Sequence, residues 1–287
     1  MTPSATNPRS RVPWALALAV GLASGLAGYV IHAARVNRIP KQVVEVGRLT
    51  DMPGSEESPA ISPDGKSVAF VALTEGKRQI WMGSAITKDD VDHFGPRWTA
   101  DSKSLIYFAA GAIWEIPAAG GEARRLGDAL GPGDLSHDGK LALFRREDRG
   151  VELMVDSRPV ATLTGGGTYS NLRWSPDDRK IAFLHGTQVM VVNASGGEPA
   201  RAADLSVQGF TWAPDNSGLI VSRFFSASRG ELWFIPRVEG RTPSQLTFGE
   251  LSYESPDINA GGNLVVSRQG LYTEGEADIV MFTGLKW

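Results

Sequence analysis

One hairpin motif recurs six times along the chain, and this recurrence limits the possible folds more than any other feature of the sequence. The stretch SPAISPDGKSVAFVA (58–72) has counterparts at 95–109, 133–144, 171–185 and 209–222, with a diverged copy at 255–267. Successive turn positions lie 37 to 46 residues apart and are occupied by Asp64, Asp101, Asp138, Asp177, Asp215 and Gly261. A period of this length predicts a propeller or a solenoid.

The chemistry of the turn explains how the motif can recur. In SPDG (62–65) the proline presets φ, the aspartate can bond its own backbone, and the glycine accepts the left-handed conformation that closes a hairpin. A large apolar side chain stands three residues before each turn position, as expected for packing between neighbouring sheets. These six residues are Ile61, Trp98, Leu135, Trp174, Trp212 and Ile258.

A third apolar strand follows each hairpin, and a fourth strand usually follows a Gly-rich turn. In the first unit the fourth strand, AITKDDVDH (85–93), is a poor version of the pattern. The sixth unit lacks one, but QVVEVGRLTD (42–51) has the fourth-strand pattern. We therefore predict an all-β, six-bladed propeller over residues 42–284, closed when this N-terminal strand pairs with the last unit. A linear β-solenoid is the alternative, and four strands per period favour the propeller.

The composition agrees with an all-β protein and excludes several functions. The chain has 33 Gly and 17 Pro but only 21% charged residues, which is typical of short strands joined by tight turns. A formal charge of −3 offers no basic surface for a phosphate backbone, so nucleic acid is not an expected partner. With no Cys, the chain can form no disulfide, thiolate metal site or lipid-modified cysteine.

The N-terminal segment predicts a membrane anchor. Residues 13–34 are apolar, carry no charge except on a protonated His32, and are long enough to span a bilayer as one helix. A tail (1–12) precedes this transmembrane helix and a juxtamembrane linker (35–41) follows it. A cleaved secretory signal is the alternative, but apolar residues continue beyond the possible cleavage site near Ala27. The charges that flank the segment favour a cytoplasmic location for the C-terminal side.

The blade pattern, in copies such as SPAISPDGKSVAFVA and NLRWSPDDRKIAFLHG, resembles the WD-like repeat of TolB-type six-bladed propellers over almost everything after residue 41. GSEESPAISPDGKSVAFVA and GPGDLSHDGK also resemble bacterial membrane proteins in which a propeller follows a transmembrane helix, often with a winged-helix or serine/threonine kinase domain before it. Only twelve residues precede the helix here, so that signalling output is not carried over. The resemblance implies a propeller on the periplasmic or extracellular side of the inner membrane, and we prefer this location to the one that the flanking charges favour.

Catalytic signatures are missing from the sequence. It contains no G-x-S-x-G, H-E-x-x-H, P-loop or EF-hand pattern, so we expect neither an enzyme nor a cofactor or metal site. The segment KDDVDHF (88–94) gathers three carboxylates and His93, which could hold a divalent cation or simply form a solvated connection between blades. We favour the solvated connection, and structural roles for the four dispersed histidines.

A charged pattern on the innermost strands predicts the candidate site. Four residues before each turn position, where the side chain would face the central channel, lie Ala60, Arg97, Asp134, Arg173, Thr211 and Asp257. Arg97, Asp134, Arg173 and Asp257 could form ion pairs that brace adjacent blades. Alternatively, they could bind a polar ligand or an extended peptide tail, because arginine forks recognise carboxylates.

These features together predict a non-catalytic, membrane-anchored binding module whose partner is a protein or a small polar ligand. Such a module would act as a sensor or a scaffold. The alternatives are a hydrolase or lyase that uses the channel mouth, and the sensory remnant of a transmembrane regulator or kinase. The propeller fold by itself does not decide among them.

Overall fold

A computed structural model describes residues 45–148, 150–226, 229–237, 241–248, 251–269 and 277–285 of the chain. The predicted tail, transmembrane helix and linker (1–41) lie outside these residues. Within the described ranges no helix has the length and apolar character needed to cross a membrane. The described strands run from Glu45 to Thr283.

The first three sheets follow the chain in order, after β1 (Glu45–Arg48), which belongs to the last sheet. Blade 1 consists of β2 (Glu56–Ile61), β3 (Val68–Thr74) and β4 (Lys77–Trp81). Blade 2 consists of β5 (His93–Trp98), β6 (Ser104–Ala109), β7 (Ala112–Pro117) and β8 (Arg124–Asp128). Blade 3 consists of β9 (Asp134–Leu135), β10 (Leu141–Glu147), β11 (Gly150–Val155) and β12 (Arg158–Leu163).

The remaining three sheets complete the ring. Blade 4 consists of β13 (Tyr169–Trp174), β14 (Lys180–His185), β15 (Gln188–Asn193) and β16 (Ala200–Arg201). Blade 5 consists of β17 (Gly209–Trp212), β18 (Gly218–Ser226), β19 (Arg229–Pro236) and β20 (Ser244–Gln245). Blade 6 consists of β21 (Ser252–Ile258), β22 (Leu264–Gln269), β23 (Ala277–Thr283) and β1. The predicted six-bladed, all-β propeller is confirmed, and the solenoid is excluded.

Strand β1 closes the ring as the sequence predicts. It pairs antiparallel with β23, from Glu45 opposite Thr283 to Arg48 opposite Val280. The N-terminal strand therefore becomes the outermost strand of the last blade, and the two ends of the domain share one sheet. This pairing covers an edge of β23 that would otherwise present unpaired backbone groups to other chains.

Glu56, the first residue of β2, fastens the closing strand to the ring. Its side chain is fully buried, and its carboxylate accepts hydrogen bonds from the Met52 N–H at 3.0 Å and the Ile279 N–H at 3.1 Å. The hydroxyl of Thr50 donates a third hydrogen bond to the same carboxylate. Ile279 lies in β23 and Thr50 follows β1, so one carboxylate joins blade 1 to both strands of the closure.

The turns between the first two strands of each blade have the predicted chemistry. The residue after each turn position is left-handed, with φ between 55° and 84°, at Gly65, Ser102, Gly139, Asp178, Asn216 and Gly262. In blade 1 the Asp64 carboxylate accepts hydrogen bonds from the Ser62 hydroxyl at 2.6 Å and the Lys66 N–H at 3.1 Å. Equivalent bonds form at Asp101.

The core consists of six apolar layers, one between each pair of neighbouring blades. The six large side chains that precede the turns belong to these layers, as predicted. Two of the tryptophans also reach the preceding blade: Trp98 Nε1 donates to the Ala60 carbonyl at 2.9 Å, and Trp212 Nε1 donates to the Arg173 carbonyl at 3.3 Å.

Blade 1 has three strands among the described residues, and a loop takes the place of the fourth. The backbone N–H of Arg78 in β4 donates to the Asp92 carboxylate at 2.8 Å, and that of Ile80 donates to the Thr87 hydroxyl at 2.9 Å. The Arg78 carbonyl lies 3.1 Å from Nδ1 of His93. The segment with the poor strand pattern thus forms no strand, but its side chains accept hydrogen bonds from backbone N–H groups at the edge of β4.

Candidate functional site

The four charged residues selected from the sequence all line one cavity at the centre of the ring. This cavity, which we call the channel cavity, has a volume of about 180 Å³. Its wall also contains Thr211 at the equivalent position of blade 5. The cavity opens on the face that carries the first turn of each blade, because the turn residues His137, Pro176, Pro214 and Ala260 form its rim.

Both aspartates of the channel cavity brace neighbouring blades through the backbone. Asp134 of blade 3 accepts a hydrogen bond from the Trp174 N–H of blade 4 at 2.7 Å. Asp257 of blade 6 accepts one from the Ile61 N–H of blade 1 at 2.9 Å. Each carboxylate therefore contacts the residue that follows the channel position of the next blade. The predicted bracing of adjacent blades occurs through hydrogen bonds to the backbone, and among the described residues no ion pair within 4.0 Å joins channel residues of adjacent blades.

The two arginines are less completely satisfied than the aspartates. Arg173 Nη2 lies 3.6 Å from Asp257 Oδ1, an ion pair that crosses the channel from blade 4 to blade 6. Arg97 Nη1 donates to the carbonyl of Pro96 at 2.5 Å, and Arg97 has no ion pair within 4.0 Å among the described residues. Nε of Arg97 and both Nε and Nη1 of Arg173 are buried without a hydrogen-bond partner in the described part of the chain. Buried donors of this kind are costly unless a ligand or water satisfies them.

Burial shifts the pKa values of three charged side chains in the channel cavity. It raises the pKa of Asp134 to about 7, although the attraction of Arg97 opposes this effect. It likewise raises the pKa of Asp257 to about 6, again against the attraction of Arg97. Burial also lowers the pKa of Arg97, and the two carboxylates oppose this change. Near neutral pH the cavity therefore holds two arginines and carboxyl groups that readily take up a proton.

The raised pKa of Asp134 predicts that stability falls as the pH rises. A carboxyl group whose pKa is higher in the folded state binds protons preferentially there, so its contribution declines from about pH 4 to about pH 7. Asp134→Asn imitates the protonated form and keeps an oxygen that can accept the Trp174 N–H. We expect the stability of this variant relative to the parent to increase by about 2–3 kcal/mol between pH 5 and pH 8. Urea unfolding at both pH values tests this, and parallel pH profiles would contradict it.

A recurring bulge directs the channel residues, and the sequence analysis did not detect it. In blades 1, 2, 4 and 6 the pairing register of the inner strand shifts just before the channel residue. The bulged residues Ser58, Gly95, Asn171 and Ser255 are left-handed, with φ between 47° and 55°. Bulges reorient the side chains that follow them. The available signal was a Ser, Gly or Asn two residues before the channel position, followed by Pro in three of the four blades.

Gly95 is the bulged residue that tolerates a side chain least. A Cβ atom added there would lie 2.6 Å from Cβ of Pro132, and its φ of 55° disfavours any L-residue with a side chain. We expect Gly95→Ala to lower the free energy of unfolding by about 2 kcal/mol or more, through backbone strain and overpacking. Gly127→Ala is the matched control, because its Cβ would meet nothing within 4 Å. Equal stability of the two variants in urea would show that the bulge is tolerant.

The segment 88–94 does not gather its acidic groups. Asp90 pairs with Lys77 at 3.4 Å, Asp89 lies 3.4 Å from Nε2 of His93, and Asp92 accepts the Arg78 N–H. Within the described ranges no group of three or more acidic or histidine side chains could hold a metal ion. The segment connects blades 1 and 2, and its acidic side chains have separate partners.

Comparisons with known proteins support the fold and do not identify a family. No protein-family model matches the sequence, and no curated protein matches it. TolB from Acinetobacter baumannii has a similar structure, with a TM-score of 0.54 and 17% identity over 83% of this chain, which spans 65% of that TolB. A protein assigned as TolB from Agrobacterium tumefaciens has a TM-score of 0.55 and 15% identity over 68% of this chain and 76% of its own.

A gluconolactonase from Xanthomonas campestris also has a similar structure, with a TM-score of 0.60 and 14% identity over 88% of this chain and 92% of its own. At these identities the likeness shows the six-bladed propeller fold and leaves the function open. The structural resemblance to TolB agrees with the resemblance that the repeat motif suggested. The comparison with a gluconolactonase adds a propeller of a different functional class.

Proposed function

We propose that this protein is a non-catalytic binding module that takes a small carboxylate into the channel cavity. The incompletely satisfied guanidinium groups of Arg97 and Arg173 carry this proposal, because both residues line one cavity and each has a buried N–H group without a hydrogen-bond partner in the described part of the chain. A carboxylate accepts two parallel hydrogen bonds from a guanidinium group, and such charge-assisted bonds are stronger than neutral ones. A small ligand is a better fit than a folded partner, since 180 Å³ is about six water volumes.

The carboxyl groups of the cavity should make the affinity for a carboxylate ligand depend on pH. Ionised Asp134 and Asp257 compete with an anionic ligand for the arginines, whereas their protonated forms do not. Because the pKa of Asp134 is about 7, affinity for an anion should increase as the pH falls from 8 to 6. A module of this type would respond to both the ligand and the acidity around it, which suits a sensor.

Oxalate is a suitable probe because it fits the cavity and stays ionised from pH 6 to pH 8. We expect isothermal titration to show binding that tightens towards pH 6 and that weakens at least tenfold in Arg97→Ala and in Arg173→Ala. Arg201→Ala is the matched control, since Arg201 lies on the surface and pairs with Asp204. Far-UV circular dichroism confirms that each variant is folded. Unchanged affinity in both channel variants, or no binding by the parent at millimolar oxalate, would refute the proposal.

The cellular setting that we propose is a single-pass anchor in the inner membrane with the propeller on the periplasmic or extracellular side. The apolar segment 13–34 supports the anchor, and the TolB-type repeat supports the location. The flanking charges support the opposite location. Protease treatment of intact and permeabilised cells distinguishes the two, because an outward-facing propeller is cleaved without permeabilisation of the inner membrane.

A hydrolase at the channel mouth is the second candidate function. Two observations favour it: a gluconolactonase has a similar structure, and His137 lies in the same cavity as Asp134, whose pKa of about 7 suits proton transfer. A lactone assay of the parent and of Asp134→Ala tests this possibility. Turnover that disappears in the variant would favour the enzyme over the binding module.

A further inference from the structure

A second cavity lies between blades 2 and 3, and no residue lines both it and the channel cavity. We call it the interblade cavity; its volume is about 410 Å³. Its lining runs along both blades, from Thr99 and Gly139 beside the first turns to Asp128 and Arg145 further along the strands. Its lining combines apolar side chains of both blades with charged ones, which include Glu115, Arg124 and Arg145.

The strand registers show why the space exists. In blade 2 the side chains facing the preceding blade include three aromatic rings: Trp98 before the turn, and Tyr107 and Trp114, which are cross-strand partners. In blade 3 the equivalent positions are Leu135, followed by the cross-strand pair Leu143 and Met154. Those three residues line the interblade cavity, and so do Leu141, which pairs with Leu135, and Asp156, which directly follows β11 and lies next to Leu141. These five positions can be compared between blades because they have the same place in the strand register.

The other blades also supply aromatic rings at these five matched positions. They contribute Phe70 and Trp81 in blade 1, Trp174 and Phe183 in blade 4, Trp212 and Trp233 in blade 5, and Phe282 in blade 6. Blade 3 alone contributes none at these positions, all of which are described residues. The ring architecture fixes the spacing between blades, so smaller side chains leave a gap there.

We propose that the interblade cavity binds a small planar aromatic molecule of one or two fused rings, which occupies the space that aromatic side chains fill in the other blades. Burial of an aromatic ring against leucine, isoleucine and methionine is favourable, and an apolar cavity of about 150 Å³ is enough to bind benzene. The charged side chains of the lining, such as the exposed Arg124, would contact a polar substituent of the ligand. This proposal is independent of carboxylate binding in the channel cavity.

The experiment titrates indole into the full-length protein and into variants that fill or preserve the cavity. Indole should bind the parent, with saturation-transfer NMR signals from its ring protons and a rise in the midpoint of thermal unfolding. Leu135→Trp restores the indole side chain of blades 2, 4 and 5 and should weaken indole binding at least tenfold. Leu135→Met keeps the volume and should bind as the parent does.

A second variant protects the test against a failure of Leu135→Trp to fold. Leu143→Phe fills the same cavity from β10, at the position of Tyr107 in blade 2. It should also reduce indole affinity at least tenfold, while oxalate binding stays unchanged. The proposal is overturned if the parent does not bind indole at millimolar concentration, or if the filled variants bind it as tightly as the parent.

Discussion

Replacement of Glu56 by Ala is expected to lower the free energy of unfolding by roughly 3–5 kcal/mol, the largest effect of any single substitution proposed for this chain. The substitution removes the acceptor for the Met52 N–H and the Thr50 hydroxyl, and one of the two acceptors of the Ile279 N–H, which also donates to Thr50 at 2.8 Å. Glu56 is fully buried, so water cannot easily take its place. Each unpaired buried donor costs about 1–3 kcal/mol. Urea unfolding monitored by tryptophan fluorescence measures the change.

The neighbouring glutamate provides the control. The side chain of Glu57 is 45% exposed and makes one ion pair, with Arg78 at 3.4 Å, so Glu57→Ala should cost less than about 1 kcal/mol. Glu56→Gln keeps one oxygen acceptor but turns an amide donor towards groups that are themselves donors, so its cost should be intermediate. If Glu56→Ala and Glu57→Ala were equally stable, the carboxylate would not fasten the closure.

Removal of β1 is expected to destabilise the propeller by about 4 kcal/mol and to cause self-association. The strand contributes four residue pairs with β23, and each net backbone hydrogen bond is worth about 1 kcal/mol. Without β1, the last blade presents the bare edge of β23, which can pair with the same edge of another copy. The ion pair between Arg48 and Asp278, at 2.6 Å, is also lost.

Two truncations separate the effect of β1 from that of the segment before it. Residues 43–287 form one compact unit, so this fragment is the control that keeps the closing strand. The fragment 49–287 lacks β1 but retains Thr50, Met52 and Glu56. Urea unfolding and analytical ultracentrifugation compare the two. A monomeric 49–287 fragment with the stability of 43–287 would show that the ring does not depend on its closure.

The repeated fold could be predicted because its determinants are local. The turn residues Asp64 and Gly65 act within a few residues of themselves, and alternation along a strand fixes which side chains face the channel. This alternation also allowed four residues to be selected in advance as residues of one cavity, namely Arg97, Asp134, Arg173 and Asp257. The closing strand could be predicted because it keeps the pattern of a fourth strand at the opposite end of the sequence.

The remaining features depend on contacts that local patterns do not encode. Glu56 accepts a hydrogen bond from Ile279, 223 residues away, and nothing in its own segment indicates that it is buried. The bracing by Asp134 and Asp257 depends on where the next blade places its backbone N–H. The reason for the interblade cavity becomes evident only when the strand registers of the blades are compared, because Leu143 of blade 3 then takes the place of Tyr107 of blade 2. The ligand that we propose for the channel could be anticipated only as a class, because the sequence does not show which N–H groups lack a hydrogen-bond partner.

The shared sheet of the two ends also determines how the domain would respond to mechanical tension. Glu45 lies opposite Thr283 in the antiparallel pair of β1 and β23, so the chain enters and leaves the ring at the same end of one sheet. A force that pulls these ends apart would load the pair at Glu45 and Thr283 first and then the next pairs one by one. Such unzipping requires less force than shearing all four pairs at once. Tension between the two ends would therefore open the last blade before any other.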